Sequence, residues 1–199
     1  MKILMKKNTK TLKLPTTNYL INELNKEKHK LHYRKLLSCT IYALIIVVAI
    51  SILITTYIFP ILRIHKNSMS PNLKRDDIVI SIKQSNYKKG DVIAFYYNNN
   101  ILIKRIIATS GEWVNIDESG NVYINDKPIN EEYIKEKAYG EVDIEFPYQV
   151  LEGTYFVLGD KRTISVDSRN SLIGTIPKSD ILAKIIFKVW PINRIGITT

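Results

Sequence analysis

Ser68 lies in the stretch HKNSMSP (65–71), between an asparagine and a methionine, with Pro71 three places on. A serine hydroxyl becomes an effective nucleophile only when a neighbouring base takes its proton. The chain offers three histidines, His29, His32 and His65. The first two precede a long apolar run and would be held away from Ser68 across a membrane. His65 is close in sequence, but along an extended segment side chains alternate, so His65 and Ser68 would face opposite ways. That leaves lysine. Lys104 stands in ILIKRII (101–107), and a strand there puts it on one face with Leu102 and Ile106. Desolvation on such a face disfavours the ammonium form and lowers its pKa. The need is large: an ordinary lysine at pH 7 is neutral about once in 2,500, a penalty of about 4.6 kcal/mol, which documented burial shifts largely remove. A lysine that snorkels along an apolar strand to water leaves the same pattern. Spacing alone keeps both readings open.

One competing motif is weak. SNYK (85–88) matches the S-x-x-K of β-lactamases, but that motif needs a helix to bring its two residues together. SNYKKGD reads as a turn, and neither S-D-N nor K-T-G follows.

The elements that must position Ser68 and Lys104 fall into three segments. Residues 1–35 hold ten Lys/Arg against two Glu, so most of the formal +10 belongs to this leader rather than to the folded part. The leader reads as polar, with little helix. Such a distribution argues against a nucleic-acid binder, whose basic patch would sit on the folded domain. Residues 36–59, LLSCTIYALIIVVAISILITTYIF, carry no charge, and none follows until Arg63. At 1.5 Å per residue such a helix is about 36 Å long, enough to cross the ~30 Å hydrocarbon core. The long leader, the long core and the lack of an A-x-A site argue for an uncleaved anchor rather than a cleaved signal peptide. Basic flanking residues keep the N-terminus in the cytoplasm and send the remainder outward. Cys39 is the only cysteine, which excludes an internal disulfide or a cysteine-based zinc site.

From residue 60 to 199 the pattern changes to short β-branched and aromatic runs: 61–65, 77–82, 91–97, 101–109, 112–117, 121–126, 154–160 and 181–190. Turn chemistry separates them. Residues 127–153 read as an irregular excursion. The expected fold is mainly β, an antiparallel sheet domain after one N-terminal transmembrane helix.

Four of these segments, taken together, resemble the type I signal peptidase family, in its single-anchor, Gram-positive-like form. NSMSPNL (67–73) resembles the nucleophile box, and GDVIAF with LIKRIIATSGE (90–95, 102–112) resembles the lysine box. NVYINDKPINEEYI (121–134) is similar to the linking segment, and LGDKRTISVDSRNSLIGTIPKSDI (158–181) to the last box. The resemblance implies Ser68 as nucleophile, Lys104 as general base and Ser165 as the serine that orients the lysine. It also implies Asp160, Asp167, Arg169 and Arg105 as polar supports, with Asp167 and Arg169 an ion pair holding the Ser165 loop. Met69, Ile64 and Leu102 become candidate substrate contacts, Ile64 and Met69 as apolar surface near the membrane. The partners implied are signal peptides of exported precursors and the lipid bilayer, with no metal, cofactor or nucleic acid. The location implied is the cell membrane, as a single-pass protein with an extracytoplasmic catalytic domain. Lys66, Asn72, ATSGE and Lys161 depart from the family's motifs, and Lys66 is expected to point to solvent. Two rivals remain: a silent homologue acting as an assembly factor, and a self-cleaving repressor on a similar fold. Retention of both Ser68 and Lys104 weighs against the first, and the anchor against the second.

Overall fold

The computed structural model describes residues 16–198. They form two compact units, one ending at Ile52 and the other beginning at Leu53. A single α-helix, α1 (Thr17–Tyr57), covers 41 residues, about 62 Å at ~1.5 Å per residue. It is long and apolar enough to cross a membrane. Thr40 Oγ1 donates to the Leu37 carbonyl at 2.8 Å and Ser51 Oγ to the Val47 carbonyl at 2.8 Å, so these hydroxyls are satisfied along the helix itself. The helix begins well inside the basic leader, where little helix was expected. Between Thr17 and Tyr57 there is no glycine or proline, and the leader's Leu, Lys and Glu are good helix formers. The first part of the leader, residues 1–15, lies outside the described residues.

The second unit is built from strands. In chain order they are β1 (Ile61–Arg63), β2 (Ile78–Ile82), β3 (Val92–Tyr97), β4 (Asn100–Thr109), β5 (Trp113–Ile116) and β6 (Val122–Ile124). There follow β7 (Lys127–Pro128), β8 (Tyr148–Gln149), β9 (Thr154–Leu158), β10 (Ile176–Pro177), β11 (Ile181–Trp190) and β12 (Gly196–Ile197). The larger sheet runs β1-β2-β11-β3-β4-β9-β10, with β12 added beside β11. A smaller sheet runs β7-β6-β5-β8. Every strand pair is antiparallel. All eight strands expected from the sequence are present, six of them one to three residues shorter and β4 one residue longer. The 127–153 excursion carries only the two-residue strands β7 and β8 as regular structure.

β3 explains how one sheet supports two cores. Val92 and Ala94 pack with Ile64, Met69 and Leu73 on one face, while Ile93 and Phe95 pack with Ile106 and Val157 on the other. A strand covered on both faces reads as a continuous apolar run, as VIAF does. A third cluster joins Val114, Ile116, Val122 and Ile124 of the small sheet to Phe156 and Leu158 of β9.

Candidate active site

Ser68 follows β1 in a tight turn. The Ser70 N–H donates to the Asn67 carbonyl at 3.1 Å and the Leu73 N–H to the Met69 carbonyl at 2.9 Å. Asn67 Oδ1 accepts the Arg75 N–H at 2.9 Å, closing the base of the turn. Met69 and Leu73 drive it into the core, at 1% and 0% exposure. Burying each contributes about 1.5–3 kcal/mol. Ser68, between them and solvent, stays half-buried. Its carbonyl accepts the Lys161 N–H at 2.9 Å, while its own N–H has no acceptor among the described residues. His65 and Lys66 are exposed.

Lys104 projects from the middle of β4, directly opposite Ile93 of β3. It is 3% exposed. Nζ donates to Ser165 Oγ at 2.7 Å. Burial pushes the ammonium down from 10.5 to about 8, Arg169 and Lys66 pull the same way, and the carboxylates of Asp167 and Asp160 resist. Lys104 therefore does not snorkel. It lines one cavity of about 750 Å³ together with Ser68. Two open strand edges border that cavity. β1 pairs with β2 alone, and β9 pairs with β4 only from Arg105 onward, leaving the first half of β4 free on that side.

Ser165 sits in the loop after β9. Gly159, at the head of this loop, comes so close that a Cβ there would lie 2.1 Å from Ser165 Oγ and 2.7 Å from the Ser68 carbonyl oxygen. No other residue fits at 159. Asp167 accepts the Gly159 N–H at 2.9 Å and pairs with Arg169 at 2.8 Å. Arg169 in turn donates to the Ser165 carbonyl at 3.3 Å and the Tyr139 carbonyl at 2.6 Å. Arg105, next to Lys104, grips Asp160 with two bonds of 2.9 and 2.8 Å. Asp160 also accepts Asn72 Nδ2 at 2.7 Å, which links it back to the Ser68 turn. Asn72, one of the departures from the motif named above, thus bonds into the same network.

Of the candidate substrate contacts, Leu102 is half-buried in the cavity wall. Ile64 and Met69 also line the cavity but are 3% and 1% exposed, so they form its floor from the core side rather than apolar surface. Their turn must be anchored, and large apolar side chains beside Ser68 are what anchor it. Sequence reasoning missed Asn72, Glu131, Tyr133 and Arg162, whose polar atoms bond within this network. Glu131 and Tyr133 lie in the linking segment 121–134 and in the irregular 127–153 stretch, where charged residues ordinarily face water.

The family described as signal peptidase, peptidase S26, matches residues 37–190. The chain belongs to that family. Among its S26 relatives, a signal peptidase I of Bacillus amyloliquefaciens is 32% identical over 164 residues, covering 77% of this chain and 88% of that protein. A thylakoidal processing peptidase 1 of Arabidopsis thaliana is 30% identical over 168 residues, covering 76% of this chain but only 48% of the plant protein's length. A solved signal peptidase I from Enterococcus faecalis is 28% identical, with a TM-score of 0.44, covering 51% of this chain and 98% of that one.

Proposed function

We propose that this S26 peptidase removes signal peptides from exported precursors by a serine–lysine mechanism, anchored by α1 with its β unit on the outer side of the membrane. The observation that carries the reading is the buried amine of Lys104, lowered to about 8 and lining the same cavity as Ser68. In this account neutral Lys104 Nζ takes the Ser68 hydroxyl proton as Oγ attacks the scissile carbonyl carbon. The oxyanion is received by the Ser68 N–H, which has no acceptor among the described residues. The new lysinium gives its proton to the leaving nitrogen, which departs as the amine of the mature chain. Lys104 then takes a proton from water, the hydroxide attacks the acyl ester, and Oγ leaves and recovers that proton.

Ser165 keeps Nζ from swinging to solvent, and Asp167 and Arg169 hold Ser165. The open edges of β1 and β4 supply main-chain partners for a substrate added as a strand. Ile61, Leu62, Leu102 and Ile103 along those edges favour apolar, small side chains one and three places before the cut. The basic leader keeps the N-terminus cytoplasmic. The test is N-terminal sequencing of a secreted precursor incubated with the wild-type, Ser68→Ala and Lys104→Ala proteins. Cleavage at one site after a small residue by wild type alone is expected. Full processing by either variant refutes the assignment.

A further inference from the structure

Resting on that reading of Ser68 and Lys104, we propose that Glu131, Tyr133 and Arg162 are positioning residues. They form a strap, with Glu131 and Arg162 buried and Tyr133 half-buried, that holds the Gly159–Ser165 turn, and through it the Ser165–Lys104 contact. Glu131 and Arg162 pair with side chains 0% and 1% exposed. Burying two charges costs several kcal/mol per ion before their attraction returns it, and a well-packed apolar pair is often as stable. Stability alone therefore gives no reason for the pair, and its placement does.

Arg162 ties the turn to Glu131 on one side and to Arg169 on the other. Its guanidinium meets both Glu131 oxygens, its Nε donates to the Gly159 carbonyl at 3.1 Å, and its own carbonyl accepts Arg169 at 3.0 Å. Glu131 also accepts the Tyr133 hydroxyl at 2.6 Å. Burial and the Glu131 carboxylate push that phenol well above its usual range, so it stays a donor. The Tyr133 ring lies 4.1 Å from the Arg105 guanidinium carbon, and its carbonyl accepts Asn72 Nδ2 at 2.9 Å. Two residues of the excursion, Glu131 and Tyr133, thus touch the Ser165 turn through Arg162, the neighbour of Lys104 and the Ser68 turn. The packing leaves no slack: a single added carbon at Gly159 would overlap Ser165.

The test uses the full chain in detergent micelles, labelled with [ε-13C]lysine, as wild type, Glu131→Gln and Tyr133→Phe. The Lys104 signal is assigned by its loss in Lys104→Arg. Two readouts are taken: the Lys104 titration midpoint, and kcat and KM on a signal-peptide-derived peptide. Loosening the turn admits water beside Nζ while Asp167, Arg169, Lys66 and Asp160 stay in place. The midpoint is therefore expected to move upward from about 8 towards 10.5. kcat is expected to fall about ten- to a hundredfold in Glu131→Gln with KM nearly unchanged. Tyr133→Phe, which removes one hydroxyl and keeps the ring over Arg105, moves both in the same direction by less, and carries the test if Glu131→Gln does not fold. A folded variant whose Lys104 midpoint and kcat match wild type overturns the strap, as does a loss of kcat with no change in midpoint. A wild type that titrates as described but cleaves nothing counts against the proposed function instead, and leaves the midpoint comparison standing.

Discussion

Changing pH from 7 to 9 is the gentlest perturbation of the proposed base. A fall from 10.5 to about 8 is worth roughly 3 kcal/mol towards the neutral amine. At pH 7 about 9% of Lys104 is then neutral, and at pH 9 about 91%. Only the neutral form can accept the Ser68 proton, so activity is lost as pH falls through the folded pKa. kcat/KM, which reports groups on the free enzyme, should rise about tenfold over this interval and level off above it. An unburied lysine would give about a hundredfold rise with no plateau, because its titration lies beyond pH 10. A histidine base would give a plateau already by about pH 7.5. The assay is initial cleavage rate of a fluorogenic peptide with small residues one and three places before the cut, from pH 6 to 10. Thermal unfolding at each pH confirms that the enzyme stays folded. A rate still climbing with unit slope at pH 10, or flat from pH 7 upward, refutes the buried-amine reasoning.

Two further outcomes follow from the same geometry. Lys104→Met should abolish cleavage yet unfold no earlier than wild type at pH 7. A folded pKa depressed below the unfolded one means that burying this ammonium costs stability below about pH 8, a cost relieved as pH rises towards 10.5. The methionine escapes it, offset in part by the Ser165 hydroxyl left without Nζ, and a clearly lower Tm at pH 7 would contradict the cause given for the lysine's pKa. Gly159→Ala should cut kcat about ten- to a hundredfold, the overpacking cost of about 1–3 kcal/mol falling on Ser165 and the Ser68 carbonyl. Wild-type kcat in that variant would show that the loop has slack which the close approach at Gly159 denies.

How much of this was legible in the chain depends on the range of the interaction. The strands were readable because β-branched runs and turn residues are local signals. Lys104 stands beside Arg105 inside ILIKRII, so its strand face was legible, while burial rather than snorkelling depends on Ser165, 61 residues away. The helix start at Thr17 was missed because the leader's charges resemble a solvated tail, while its lack of glycine and proline carries the helical information. The strap was not readable. Glu131 and Arg162 are 31 residues apart and look like surface charges until the excursion folds over the Gly159 loop. Ile64 and Met69 read as apolar surface because a sequence cannot tell which side of a turn faces the core.

The central claim is that the amine at position 104 is the base, and replacing its chemistry in place tests that directly. In a Cys39→Ser background, which removes the chain's only other cysteine, Lys104→Cys should fold and cleave nothing. Alkylation with 2-bromoethylamine restores an amine of nearly the same length, and its sulfur lowers the amine's basicity. Cleavage should return, with the rising limb of the pH profile displaced to lower pH than in wild type. Alkylated protein that stays folded and inactive, or regains activity with the limb where wild type has it, would contradict a lysine base for Ser68.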